Sequence, residues 1–207
     1  MPPPKYISIN QSKLHRIGRK KDLASLLGLT LSELKKLTSD NNYREWPKVE
    51  KNKTRIIEEP IRELGLALSR LHGILKQVKT PSWLVSGKRK IKPSDNAEAH
   101  KQSAYMITVD IEGFYQSTKR EYIYTAFKKF FGQTDDVASL FADLVTYKGH
   151  IPTGAATSQL IAFWAYKPTF ERIYKLCAAK GIIMTVWVDD ITFSSSKPFP
   201  ASWVKLS

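Results

Sequence analysis

Apolar positions along the chain change period several times, and each change predicts an element. From Ser12 to about Ser39 they recur at helical spacing, at Leu14, Ile17, Leu23, Leu26 and Leu27, which predicts a helix with one buried face. Thr30-Leu31-Ser32-Glu33 reads as a capping box opening a second, short helix. Residues 40–59 mix Tyr, Trp and charge and predict a β-hairpin with a basic tip. Pro60 then stands just before a helical stripe of Ile61, Leu64, Leu68, Leu71, Ile74, Leu75 and Val78. Tyr105-Met106-Ile107-Thr108-Val109 is a near-continuous apolar run and predicts a buried strand ending in Asp110. Helices are predicted over 119–131 and 135–147, and a long apolar helix from Leu160 to about Ala179, interrupted near Pro168. Last, the β-branched run Ile182–Val188 meets Asp189-Asp190 and is followed by Ile191-Thr192-Phe193-Ser194. That pattern predicts a strand, a tight turn carrying both aspartates, and a returning strand. Helices and hairpins in this order predict an α+β fold.

Composition narrows the partners. The chain has 207 residues, enough for one sizeable domain or a domain with an appendage. No apolar run approaches a membrane span and no secretory signal opens the chain, so no membrane association is expected. The single cysteine, Cys177, excludes an intrachain disulfide framework and Cys/His metal sites and fits a reducing, cytoplasmic location. Lys and Arg number 33 against 19 Asp and Glu, a net charge of +14. Such a balance points to a polyanionic partner, most often nucleic acid. Arg16, Arg19, Lys20 and Lys21 make the first helix basic, as contact with RNA or DNA or as a solvated face. The loop Ser86-Gly87-Lys88-Arg89-Lys90-Ile91-Lys92 is a candidate nucleic-acid backbone contact through Lys88, Arg89 and Lys90.

The chemistry centres on carboxylates. An Asp-Asp pair alone says little: Asp135-Asp136 suits a helix start, where acidic side chains meet free N–H groups. Asp189-Asp190 differs in having a partner, Asp110, at the end of another predicted strand. If the two strands are sheet neighbours, three carboxylates converge on one edge, and a divalent cation is their natural counter-charge. Oxygen donors suit Mg²⁺, and paired Mg²⁺ ions clamp attacking and leaving oxygens in phosphoryl transfer. Basic side chains at the hairpin tip, with Arg as a bidentate fork, could hold a triphosphate. The small-residue loop from Gly149 to Gln159 lets a flat ligand approach the backbone, and it also reads as a helix start capped by Thr157 or Ser158. His100, taken alone, carries no chemistry.

In this order the motifs resemble those of reverse transcriptases, over roughly residues 40–195. Asp110-Ile111-x-x-Phe114-Tyr115 is similar to the motif that opens the palm. Ile151-Pro152-Thr153-Gly154-Ala155-Ala156-Thr157-Ser158 resembles the loop and helix facing template and primer. Val188-Asp189-Asp190 resembles the hallmark aspartate hairpin, and Arg55-Ile56-Ile57-x-x-Pro60 the fingers segment. Asn96-Ala97-Glu98-Ala99-His100 resembles the Asn-Ala-x-x-His element of bacterial retron reverse transcriptases.

The resemblance implies a right-hand polymerase with an antiparallel palm sheet and packed helices: a helical appendage over 1–40, fingers over 41–104, and an incomplete palm over 105–207 without the thumb. It implies RNA-directed DNA synthesis on a primer hydroxyl. Two Mg²⁺ ions would be bound by Asp110, Asp189 and the Ile111 carbonyl, with Asp190 completing the set. Arg55 would grip the dNTP triphosphate, with Lys51 or Lys53 as second cation. Tyr115, with Phe114 beside it, would exclude a 2′-hydroxyl, and Thr153 and Gly154 would line the nucleotide pocket. Asn96 and His100 would serve retron-specific organisation, grouped with the nucleic-acid contacts. The implied partners are a structured noncoding RNA template with its DNA product and an accessory effector protein in antiphage defence. A group II intron-like or abortive-infection reverse transcriptase and a non-catalytic RNA-binding palm are the alternatives. Departures from the family pattern are Thr153 where Gln is frequent, Ala156 where Pro is frequent, and Trp187 where Tyr is familiar.

Overall fold

A computed structural model describes residues 6–50, 53–87 and 92–199. In chain order they form α1 (Lys20–Leu26), α2 (Leu31–Leu37), β1 (Tyr43–Glu50), β2 (Lys53–Pro60), α3 (Arg62–Leu75), α4 (Pro93–Glu98) and β3 (Tyr105–Asp110). There follow α5 (Phe114–Ser117), α6 (Arg120–Phe131), α7 (Asp135–Val145), α8 (Ser158–Ala178), β4 (Ile183–Trp187) and β5 (Asp190–Ser195). Both sheets, β1-β2 and β3-β5-β4, are antiparallel, so the α+β class holds. Among the described residues no helix is long and apolar enough to cross a membrane. Two compact units result: Met1–Lys79 with Gly113–Ala165, and Thr80–Glu112 with Tyr166–Ser207.

The first unit is built on leucine stripes and a stack of rings. Leu64, Leu68, Leu71 and Leu75 of α3 are fully buried, as are Leu23, Leu27 and Leu34. Phe127 of α6 stacks on Phe141 of α7 at 3.9 Å between ring centres and on Phe131 at 4.5 Å. Thr30 caps α2 as its sequence predicts: its hydroxyl accepts from Glu33 N–H at 3.2 Å, and the Glu33 carboxylate accepts from Thr30 N–H at 2.7 Å. The expected first helix is shorter than its periodicity suggests. Leu14 and Ile17 are buried, but the helix begins only at Lys20. The reason lies in long-range bonds. Arg16 N–H donates to the Phe131 carbonyl at 2.7 Å, and Gln133 donates to the Leu14 carbonyl at 3.2 Å, so this backbone pairs with the end of α6 rather than with its own next turn.

The β1–β2 hairpin is stapled to residues 147–154 of the same unit. Tyr147 and Lys148 both donate to the Glu45 carboxylate, at 2.9 and 2.7 Å. Glu58, buried on β2, accepts from Thr153 N–H at 3.1 Å and lies 2.8 Å from His150 Nε2. Thr153 Oγ1 accepts from Glu58 N–H at 3.0 Å, and Gly154 N–H donates to the Glu58 carbonyl at 3.0 Å.

The second unit holds the three-stranded sheet. Its register puts Ile107, Phe193 and Met184 in one row and Val109, Ile191 and Val186 in the next, all on one face. Beyond β4 the chain is closed by Trp83–Val85: Val186 N–H donates to the Trp83 carbonyl at 2.8 Å, and Val85 N–H to the Val186 carbonyl at 3.0 Å. Cys177 is buried, which pushes its thiol up in pKa, as suits a structural rather than a reactive cysteine. Two expectations are corrected. β3 is not a buried strand but an edge strand, with Met106 64% exposed. And α8 is not interrupted at Pro168 but runs through it. Proline removes one N–H donor, a loss that a 21-residue helix absorbs.

A β-carbon on Gly154 would stand 2.7 Å from the Glu58 carbonyl oxygen, a backbone atom of a paired strand that cannot swing aside. Gly154→Ala is therefore expected to destabilise the protein by roughly 1–3 kcal/mol, read as a lower denaturation midpoint in urea.

Candidate carboxylate site

The β4–β5 hairpin closes on the pair Trp187↔Asp190, so the two turn residues are Val188 and Asp189. This corrects the expectation that the turn carries both aspartates: Asp190 is already the first residue of β5. Two-residue hairpin turns demand positive φ, normally met by Gly or Asn. Here Val188 meets it, at φ 59°. A β-branched residue in that region costs about 1–3 kcal/mol and persists only where its surroundings hold it. Two bonds do so. Val188 N–H donates to the hydroxyl of the buried Ser86 at 2.9 Å, and Ile111 N–H donates to the Asp189 carbonyl at 3.2 Å.

Asp110, at the end of β3, is the direct cross-strand partner of Asp190. Directly opposed residues of an antiparallel pair project to the same face. Asp110 and Asp190 therefore share the face opposite the apolar rows, and Asp189 stands beside them on the turn. The Asp190 carboxyl is held above its usual pKa, first by burial, then by the charges of Asp189 and Asp110. No ion pair among the described residues reaches any of the three. Among those residues, too, no group of three His, Cys, Asp or Glu side chains is drawn together as a metal cage. The three side chains are all-oxygen donors and carry excess negative charge. Those are the properties a hard divalent cation requires.

The remaining sequence-predicted residues divide between the units. Arg55 lies exposed on β2, opposite Lys48, and Lys53 opens that strand. Phe114 and Tyr115 begin α5 behind Gly113, which takes φ 58°; Phe114 is buried, and the two rings lie 5.6 Å apart. Thr153 and Gly154 bond to β2 as described. All of these belong to the first unit, whereas Asp110, Ile111, Asp189 and Asp190 belong to the second. Asn96 lies within α4. His100, just beyond it, is 5% exposed, with both ring nitrogens bonded to protein hydroxyls. Lys88, Arg89 and Lys90, like Lys51, lie outside the described residues. Sequence reasoning missed Ser86, which props the turn, and the Glu58–His150 pair; both act through contacts far apart in the chain, for which no local pattern exists.

Opposed like charges destabilise a strand pair by about 0.2–1 kcal/mol. Asp190→Asn is therefore expected to raise the melting temperature of the metal-free protein by about 1–3 °C. Mg²⁺ is expected to raise it for the native sequence and not for Asp110→Asn, because a ligand stabilises only the state that binds it. Differential scanning fluorimetry with and without Mg²⁺ checks both; an equal Mg²⁺ response in the variant would exclude the carboxylates as its site.

No family model matches the chain. Curated relatives do. The retron Se72 reverse transcriptase of Salmonella heidelberg is 29% identical over 184 residues, covering 84% of this chain and 48% of the relative. The retron Ec86 and Ec48 reverse transcriptases of Escherichia coli are 24% and 28% identical over 180 and 190 residues, again covering 84% of this chain and 56% and 46% of the relatives. The chain thus spans about half the length of the curated relatives it matches. Over 84% of its own length the chain is similar to these retron reverse transcriptases.

Proposed function

We propose that this chain carries the fingers and the catalytic part of the palm of a retron-type RNA-directed DNA polymerase. The observation that carries the reading is the register of Asp110 against Asp190, with Asp189 on the adjoining strained turn. The relatives' names support the same reading. Asp110, Asp189 and the Ile111 carbonyl would hold two Mg²⁺ ions, with Asp190 completing the negative set. Bound there, the ions supply Lewis acidity toward the attacking hydroxyl and charge neutralisation for the leaving diphosphate. The protein's own part is positioning. The Val188–Asp189 turn, tied by Ser86 and Ile111, presents Asp189 on a fixed backbone, which is where positional catalysis gains its rate.

On the first unit, Arg55 is exposed and takes the dNTP triphosphate as a bidentate fork. Lys53 is the second cation, and Tyr115, backed by buried Phe114, excludes a 2′-hydroxyl. Thr153 and Gly154 frame the nucleotide side by holding β2 in place. The template is a structured noncoding RNA, contacted through the excess positive charge, including Lys88, Arg89 and Lys90. The product is RNA-linked DNA, and the setting, with an accessory effector protein, is antiphage defence.

In the full-length protein, Asp189→Asn is expected to lower primer extension by at least about a thousandfold while leaving RNA affinity within about twofold. Absence of extension by the native full-length protein on RNA templates with Mg²⁺ and dNTPs would overturn the reading. Tyr115→Ala is expected to keep deoxynucleotide extension and raise ribonucleotide incorporation by about tenfold or more, measured by competing the two triphosphates.

A further inference from the structure

His100 is the one buried imidazole for which the polymerase reading has no chemical task, and its partners are specific. Nδ1 lies 2.6 Å from Ser194 Oγ and Nε2 lies 2.7 Å from Thr185 Oγ1. Ser103 donates to Ser194 Oγ at 2.8 Å. Ser194 belongs to β5 and Thr185 to β4, the two strands of the aspartate hairpin.

The register shows which face these groups occupy. Rows across the sheet read Asp110, Asp190, Trp187; then Thr108, Thr192, Thr185; then Met106, Ser194, Ile183. Alternate residues share a face, so Thr185 and Ser194 lie on the face of the carboxylates. They occupy neighbouring rows on adjacent strands, and the ring spans them diagonally. Thr185 is only two residues before Trp187, which closes the strained turn.

A neutral imidazole has one donor and one acceptor. With Ser103 O–H donating to Ser194 Oγ, one directional chain that fits these distances has Ser194 O–H donating to Nδ1 and Nε2–H donating to Thr185. Burial lowers the pKa of His100 and so keeps the ring in the neutral form that this chain needs.

We propose that His100 is a positioning residue for the aspartate hairpin: its imidazole pins β4 to β5 on the carboxylate face and thereby holds Asp189 and Asp190 in their metal-binding arrangement. The ladder between the strands fixes which residues pair. It leaves the twist of the hairpin free to relax, and the positive φ of Val188 gives it a reason to do so. A diagonal side-chain tie opposes that relaxation. The positioning role rests on the polymerase reading; the pin itself does not. His100 is thus assigned an inward, structural partner set, which leaves RNA contact to other residues.

The test uses the full-length protein and four variants: His100→Ala, His100→Gln, Thr185→Val, and Leu68→Ala as a core lesion in the other unit. Amide hydrogen exchange over residues 183–195 reads the pin, Mn²⁺ binding by electron paramagnetic resonance reads the carboxylates, and RNA affinity is measured alongside. His100→Ala is expected to speed exchange in the hairpin and weaken Mn²⁺ binding about tenfold, as loss of a supporting shell does, with RNA affinity unchanged within about twofold. Thr185→Val should follow it in part, and His100→Gln, which can still donate and accept, should recover part of the loss. Leu68→Ala should lower the melting temperature without moving either hairpin readout. Unchanged exchange and Mn²⁺ binding in His100→Ala would overturn the proposal, and so would a loss confined to RNA affinity or one that Leu68→Ala reproduces. If the native protein binds no Mn²⁺ and extends no primer, the polymerase reading fails instead, and the exchange data still decide the pin.

Discussion

Asp110 stands across from Asp190 in a single register, and the carboxylate face exists only because that register holds. Side chains alternate with period two, so a slip of one residue would turn Asp110 onto the opposite face. Repulsion between the opposed carboxylates favours such a slip by at most about 1 kcal/mol. Against it stand Ile107, Val109, Met184, Val186, Ile191 and Phe193, which share the other face. Burying a side chain of this kind is worth about 1.5–3 kcal/mol. Even at half that value for the partly exposed edge strand, burial wins by a wide margin. The apolar face therefore sets the position of the charged one.

Around that register the second unit spends its specific hydrogen bonds on the hairpin. Ser86 and Ile111 tie the turn at one end, the Trp83–Val85 segment lies along β4, and His100 joins the strands at the other end. A valine at positive φ needs this support, because nothing local favours it. The first unit follows a different logic. There a ring stack and leucine stripes supply the bulk of the core, and Glu58 organises a polar staple between β2 and residues 150–154. Glycine at 154 follows from the closeness of that contact, since a β-carbon would meet backbone.

Charge is distributed against the overall balance. The chain carries +14, yet its carboxylate hairpin is a local concentration of negative charge, enough to hold the Asp190 carboxyl above its usual pKa. A basic surface attracts a polyanion over distances of about a Debye length, roughly 8 Å in physiological salt. A compact acidic cluster attracts small cations.

By itself the sequence determined most of the periodic elements, the capping box at Thr30, the helix start at Asp135 and a hairpin within the predicted residues 40–59, and it singled out the three aspartates as candidates. Each rests on near-neighbour physics: spacing of apolar residues, turn residues, free N–H groups at helix ends. It misread what depends on distant partners. Leu14 and Ile17 keep helical spacing, but their backbone bonds to α6. Tyr105–Val109 is apolar enough for a buried strand and lies at an edge. His100 looked like a lone histidine, because Thr185 and Ser194 are 85 and 94 residues away. The exact turn residues, the shared face of the carboxylates and the tie across the hairpin were decided only in three dimensions, where register and burial select among arrangements that local propensity leaves equal in energy.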